Sequence, residues 1–138
     1  MDSIWKRTAE MPPFAPLDGD LKTDVLIVGG GLAGLLCAYW LNRAGVDCAL
    51  VEADRLCGGV TGNTTAKLTI QHGLIYDKLL REFGLEKARL YLEANRGALG
   101  QYWELCRDID CDFEERDSYV YALSDRRKLD RELETLER

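Results

Sequence analysis

The sequence contains a single histidine, His72, in 138 residues. A catalytic zinc site or a mixed histidine–cysteine iron–sulfur site takes two or more such ligands in one place, so no metal site is expected within this chain. The five cysteines, Cys37, Cys48, Cys57, Cys106 and Cys111, are odd in number and include no C-x-x-C pair. That argues against a disulfide scaffold, and reduced thiols are the simple reading. Cys37 and Cys48 fall on an expected helix and strand, where small buried residues belong. Basic residues are also short, 18 against 24 acidic ones for a net charge of -6, and no run of Lys and Arg gives nucleic acid a footing. The longest apolar run, Gly29 to Leu41, falls short of the roughly 18 residues a membrane span needs. Behind Lys6 and Arg7 comes Thr-Ala-Glu-Met-Pro-Pro, where a signal peptide requires an apolar stretch. These absences leave a soluble cytoplasmic protein, without nucleic-acid or membrane partners, as the expectation.

What is present suffices for one modest domain, since 46% of the residues are hydrophobic, ample for a core. All three prolines, Pro12, Pro13 and Pro16, sit in the first 20 residues. They exclude helix there and favour an extended leader over residues 1–20, whose Trp5 and Phe14 suggest that it lies on a surface.

Residues 21–75 carry the main signal. Thr23 to Val28 reads as a buried parallel strand that stops at Gly29-Gly30-Gly31. With Gly34 these form G-x-G-x-x-G: Gly29 for the tight turn, Gly31 for close approach of backbone to pyrophosphate, Gly34 for close helix–strand packing. Leu35, Ala38 and Leu41 continue as a helical stripe, and Gly45 ends the helix in a left-handed conformation. The helix start thus points free N–H groups and a positive dipole end at the phosphates. Val46, Cys48 and Leu50 alternate along a second strand, which closes at Glu52. Glu52 stands 18 positions after Gly34, close to the offset of about 20 at which an acid bonds the ribose hydroxyls. A carboxylate there repels a 2′-phosphate, which favours FAD or NAD over NADP. The stretch from Asp54 to Lys67, with three glycines and three threonines, can present N–H and hydroxyl donors to a phosphate or a flavin edge, or serve as an ordinary surface loop.

Residues 76–138 read as a helical segment and the start of an incomplete substrate domain. Leu79, Leu80 and Phe83 form a short stripe ending at Gly84, and a longer helix runs on through Ala88, Tyr91, Leu99 and Cys106. Gly97 and Gly100 interrupt it, as close packing against a neighbour would explain. Phe113 to Arg116 and Ser118 to Ala122 look like a short β-hairpin. Ser124 and Asp125 are helix-start residues, with Leu129, Leu133 and Leu136 as the buried face of the last helix. One parallel unit, helices and a hairpin do not close a doubly wound sheet, so the N-terminal part of a larger protein is expected.

The βαβ residues and the following loop resemble the amino-terminal region of FAD-dependent oxidoreductases of the D-amino-acid oxidase or glycine oxidase superfamily. Ile4-Trp5, Thr8-Ala9, Pro16-Leu17 with Gly19-Asp20, Gly58 to Lys67 and Gln71-His72-Gly73 resemble, more narrowly, a bacterial branch in which a C-terminal Rieske domain commonly follows. The resemblance implies an α/β fold, the N-terminal part of a Rossmann-like FAD/NAD(P)-binding domain, with FAD as cofactor. It implies a cofactor set of Gly29, Gly31, Leu32, Ala33, Gly34, Glu52, Ala53, Arg55, Gly59, Thr61, Thr64 and Thr65. Lys67 and His72 would approach the isoalloxazine ring, and for His72 a structural hydrogen-bonding role competes with that. The implied activity is oxidation of an amine or amino-acid substrate by the full-length protein, with catalytic residues unassigned. The 138-residue chain alone is expected to bind FAD weakly or not at all and to turn nothing over. An NAD-dependent dehydrogenase shares the fingerprint, and a truncated binding or interaction module is the non-enzymatic alternative.

Overall fold

The computed structural model describes residues 3–138, which divide into two compact units after Ala66. In the first unit, helix α1 (Ile4–Thr8) starts at Ser3, whose Oγ accepts from Lys6 N–H. The leader is therefore not extended throughout: the three prolines lie beyond Thr8 and leave the first turn free to form. Trp5 donates its indole N–H to the Thr64 carbonyl at 2.7 Å, and the Ser3 hydroxyl donates to the Gly62 carbonyl. Trp5 thus docks on the threonine-rich loop, whereas Phe14 stays exposed.

Strand β1 (Val25–Val28), helix α2 (Leu32–Arg43) and strand β2 (Cys48–Val51) form a parallel βαβ unit, with Val25 opposite Cys48 and Val28 opposite Val51. Ile27 faces α2, where its Cγ2 lies near Gly34, while Leu26 and Val28 point away and remain exposed. Gly45, with φ +73°, terminates α2 by donating to the Asn42 carbonyl, and Val46 N–H returns to the Leu41 carbonyl. Cys37 is exposed on α2, contrary to the buried position expected, and Cys48 is half-buried. One helix covering one face of two strands leaves the remaining apolar surface open, so the composition does not translate into a deep core here.

The second unit is built on α3 (Tyr76–Cys106), broken at Gly84 by φ +81° and ψ 170°, and on α4 (Arg127–Leu136). None of the described helices is long and apolar enough to cross a membrane. Close packing does not account for Gly97 and Gly100, since a Cβ at either would meet nothing within 4 Å. The expected hairpin is absent: residues 113–122 contain no strand, and Tyr119, Tyr121 and Leu123, which would share one face, are 78%, 78% and 94% exposed. Two short strands with nothing to bury that face against do not hold together in water.

α4 turns only part of the expected face inward. Leu129 is half-buried, but Leu133 and Leu136 are exposed, and the side chain that enters the unit deepest is Glu132, 2% exposed. Its Oε1 accepts from Tyr76 N–H at 2.9 Å and its Oε2 from Asp77 N–H at 2.7 Å. The residue preceding α3, Ile75, offers no side-chain cap, so a carboxylate from α4 satisfies the N–H groups that every helix start leaves over. Tyr76 is buried beside it, with its hydroxyl donating to the Ile70 carbonyl at 2.6 Å.

Candidate dinucleotide site

Each glycine at the end of β1 meets a separate demand. Gly29 has φ +107°, a region L-residues rarely occupy, and its N–H donates to the Val51 carbonyl at 2.8 Å, carrying the ladder one residue past the strand. Gly34 faces the Gly29 carbonyl so closely that a Cβ would collide with it. The middle glycine, left free by the G-x-G-x-x-G pattern, is equally constrained. Gly30 is buried, a Cβ on it would run into Leu56 Cδ2, and its carbonyl accepts from Cys57 N–H at 2.9 Å.

Gly31 is the N-cap of α2 and has no side chain to close the helix end. Thr61 reaches over from the loop instead, its Oγ1 accepting from Leu32 N–H at 2.9 Å. Leu32, Ala33 and Gly34 form the first turn of α2, where N–H groups and the positive dipole end project. Glu52 follows β2, accepting from Gly30 N–H at 2.6 Å through Oε2 and from Ala53 and Asp54 N–H at 2.8 and 3.2 Å through Oε1. These backbone donors, Gly30 foremost and then Asp54, hold its carboxyl below the usual carboxylate range.

A cleft of about 340 Å³ opens at this point, lined by Gly31, Glu52, Asp54, Arg55, Cys57, Gly58, Gly59, Val60 and Thr61. Of the residues singled out from the sequence, Gly31, Glu52, Arg55, Gly59 and Thr61 meet there. Gly29, Leu32, Ala33 and Gly34 form the turn and helix start beside it, and Ala53 supports Glu52. Thr64 and Thr65 are not in the lining: the Thr64 hydroxyl accepts from Ala66 N–H at 3.2 Å, and Thr65 is exposed. Gly30, Asp54, Cys57, Gly58 and Val60 are outside the residue set implied by the sequence, although the last four lie in the Asp54–Lys67 loop read there as a source of donors. Gly58 was the findable one, as part of a glycine pair, and a Cβ there would lie 3.0 Å from the Arg55 carbonyl. A larger hollow, about 430 Å³, runs beside Leu85, Arg89 and Leu90. All of its lining comes from α3, which makes it a surface groove without converging donors.

In the second unit His72 Nδ1 lies 2.9 Å from the Tyr91 hydroxyl, and Lys67 Nζ donates to Ser118 Oγ at 3.1 Å. Both have partners within that unit.

The lowered pKa of Glu52 has a defined sign. Its backbone bonds favour the ionised form, so their contribution is complete above the ordinary carboxylate range and is lost as pH falls through the lowered value. The Gly30 amide resonance is therefore expected to stay unchanged from neutral to mildly acidic pH and to shift only in stronger acid. A Gly30 midpoint above the ordinary carboxylate range, measured by NMR titration, would contradict this geometry.

The fit to a dinucleotide is good: a helix start with no side chain at its cap, a hydroxyl beside it and an ionised acid at the end of the neighbouring strand. No solved structure matches the chain. The Bacillus subtilis (strain 168) protein YhfW, named for a Rieske 2Fe-2S iron-sulfur group, is 40% identical over 126 residues, 90% of this chain and 25% of that protein. Gamma-glutamylputrescine oxidoreductase of Escherichia coli (strain K12) is 29% identical over 120 residues, 83% of this chain and 27% of its own. The chain spans about a quarter of the length of these curated relatives. The family described as FAD dependent oxidoreductase matches residues 24–138, a stretch that takes in β1, the glycine turn, Glu52 and the cleft they line, and the chain belongs to that family.

Proposed function

We propose that this chain supplies the nucleotide-binding end of a flavin oxidoreductase that acts on an amine or amino-acid-like substrate, with FAD held in the cleft between α2 and Glu52. The observation that carries this reading is the convergence of Gly31, Thr61 and Glu52 on that cleft. The backbone of Gly29, Gly31, Leu32, Ala33 and Gly34 faces the pyrophosphate, with Thr61 exchanging its bond to Leu32 N–H for one to a phosphate oxygen. Glu52, ionised at neutral pH and steadied by Ala53, accepts from the adenosine ribose hydroxyls and repels a 2′-phosphate. Arg55, Gly59, Thr64 and Thr65 belong to the loop nearest the phosphates or flavin. Bound FAD supplies two-electron oxidation of the substrate; the protein supplies position and electrostatics.

Support for the substrate class comes from the name of the gamma-glutamylputrescine oxidoreductase relative, and for a Rieske partner domain in the full-length protein from the name of YhfW. Titration of the protein with FAD, NAD and NADP, followed by thermal shift, tests the cofactor assignment. FAD is expected to stabilise most, though weakly for 138 residues, and Glu52→Ala to lower FAD affinity about tenfold, the scale of losing a hydrogen bond to a charged group. Tighter binding of NAD would sink the flavin reading in favour of a dehydrogenase.

A further inference from the structure

The loop after Glu52 is anchored at two places, and four residues that line the cleft run between them. At one end Cys57 N–H donates to the Gly30 carbonyl at 2.9 Å and ties the loop to the glycine turn. At the other end α1 holds it: Trp5 donates its indole N–H to the Thr64 carbonyl at 2.7 Å, and the Ser3 hydroxyl donates to the Gly62 carbonyl. Gly62 is buried against both anchors, since a Cβ there would run into the Cys57 carbonyl and lie 3.0 Å from Lys6 Cε. Gly58, Gly59, Val60 and Thr61 stand between, all in the lining of the cleft. The Asn63 side chain donates to the Gly59 carbonyl at 2.7 Å and closes residues 59–63 into one turn. That turn moves with the backbone α1 grips, and the adjacent Gly58 and Gly59 give little stiffness on its other side.

We infer that Trp5 is a positioning residue of the dinucleotide cleft, holding the backbone of residues 62–64 so that Thr61 stands over the start of α2. The indole N–H is a donor only and suits a backbone carbonyl, so the grip takes none of the loop's hydroxyls. Thr61 Oγ1 must meet Leu32 N–H, 2.9 Å away across 29 residues of chain, and a hydrogen bond of that kind weakens steeply when its donor and acceptor drift apart. A loop fixed in advance also spares an incoming ligand the entropy of ordering it. The effect on cofactor affinity rests on the FAD reading above, whereas the placement of Thr61 does not.

Amide NMR of this chain without cofactor, joined to FAD titration followed by flavin fluorescence, is the test. Thr61→Val removes the hydroxyl and sets the reference shift of the Leu32 amide resonance. Trp5→Phe keeps a ring and loses the N–H; it should move that resonance in the same direction, and Trp5→Ala should move it further. The Ile27 and Leu50 amides, inside the strand pair, should stay in place in all three. FAD affinity is expected to fall about fivefold in Trp5→Phe, the scale of one neutral hydrogen bond, and to fall much less when the same change is made in Thr61→Val. A Leu32 resonance unmoved by both Trp5 variants would overturn the assignment. Strand amides moving as far as Leu32 would do so too, because α1 would then support the whole unit and not the cleft. A parent chain that binds NAD more tightly than FAD, with the Leu32 shifts as expected, would remove the flavin reading and uphold the role of Trp5.

Discussion

Gly34→Val is expected to unfold the strand–turn–helix of the first unit and to abolish nucleotide binding with it. A Cβ at position 34 collides with the Gly29 carbonyl and touches Ile27. The obstructing atom is backbone, and it belongs to a residue held at φ +107° by a hydrogen bond to Val51, so it cannot swing aside as a side-chain tip would. Relief requires α2 to move off the sheet, and overpacking of this kind costs about 1–3 kcal/mol even for modest insertions. Against a total stability of only about 5–15 kcal/mol for a domain, that is a large share. Gly34→Ala should therefore lower stability by about 2–3 kcal/mol in urea unfolding followed by circular dichroism. Gly31→Ala provides the contrast, because its Cβ would meet only the Thr61 hydroxyl at 3.3 Å, a side chain able to give way. If Gly34→Ala unfolds at the same urea concentration as the parent, the close helix–strand contact is not what this glycine is for.

Glu132→Ala is expected to have the second largest effect, a loss of about 3 kcal/mol in the unit that contains α3 and α4. The carboxylate takes both Tyr76 and Asp77 N–H groups at a site 2% exposed, so its removal leaves two donors at a helix start without acceptor and nearly without water. Glu132→Gln keeps one acceptor oxygen and gives up the charge that favours the helix dipole, so about half that loss is expected. The ion pairs of the largely buried Asp77 carboxylate with Arg81 at 3.2 Å and Arg131 at 3.6 Å are present in both variants, so they do not enter the comparison between them. Hydrogen exchange at Tyr76 and Asp77 separates this from a general loss of packing: those two amides should lose protection first. Unchanged exchange there in Glu132→Ala would show that the helix start finds its acceptor elsewhere.

The two residues differ in how visible they are from sequence. Gly34 is legible because its demand is local: a parallel strand, a turn with φ above zero and a helix restarting within a few residues leave room only for glycine. Glu132 is hidden because its partners lie 56 and 55 residues away, and because the leucines at 133 and 136 advertise an inner face that the structure leaves exposed. Periodicity counts apolar residues and does not register that a neighbouring helix start needs a carboxylate more than it needs a leucine. The same distance hides the link from Thr61 to Leu32, 29 residues apart, although the threonine-rich loop is legible from sequence as a source of donors. The hairpin misread over residues 113–122 has the opposite origin: the alternation is real, but a strand exists only where another surface takes one of its faces.

The sequence by itself determined the βαβ unit, the special backbone at Gly29 and Gly45, the acid at Glu52 and the family to which they belong, because backbone dihedrals and short-range periodicity depend on adjacent residues alone. Tertiary structure alone decided that Gly30 is as tightly held as its neighbours, that Thr61 closes α2, and that Glu132 is the side chain of α4 buried deepest beneath α3. Each of these is an unsatisfied donor or a bare surface meeting whatever partner the folded chain carries to it, and a linear sequence does not state which partner arrives.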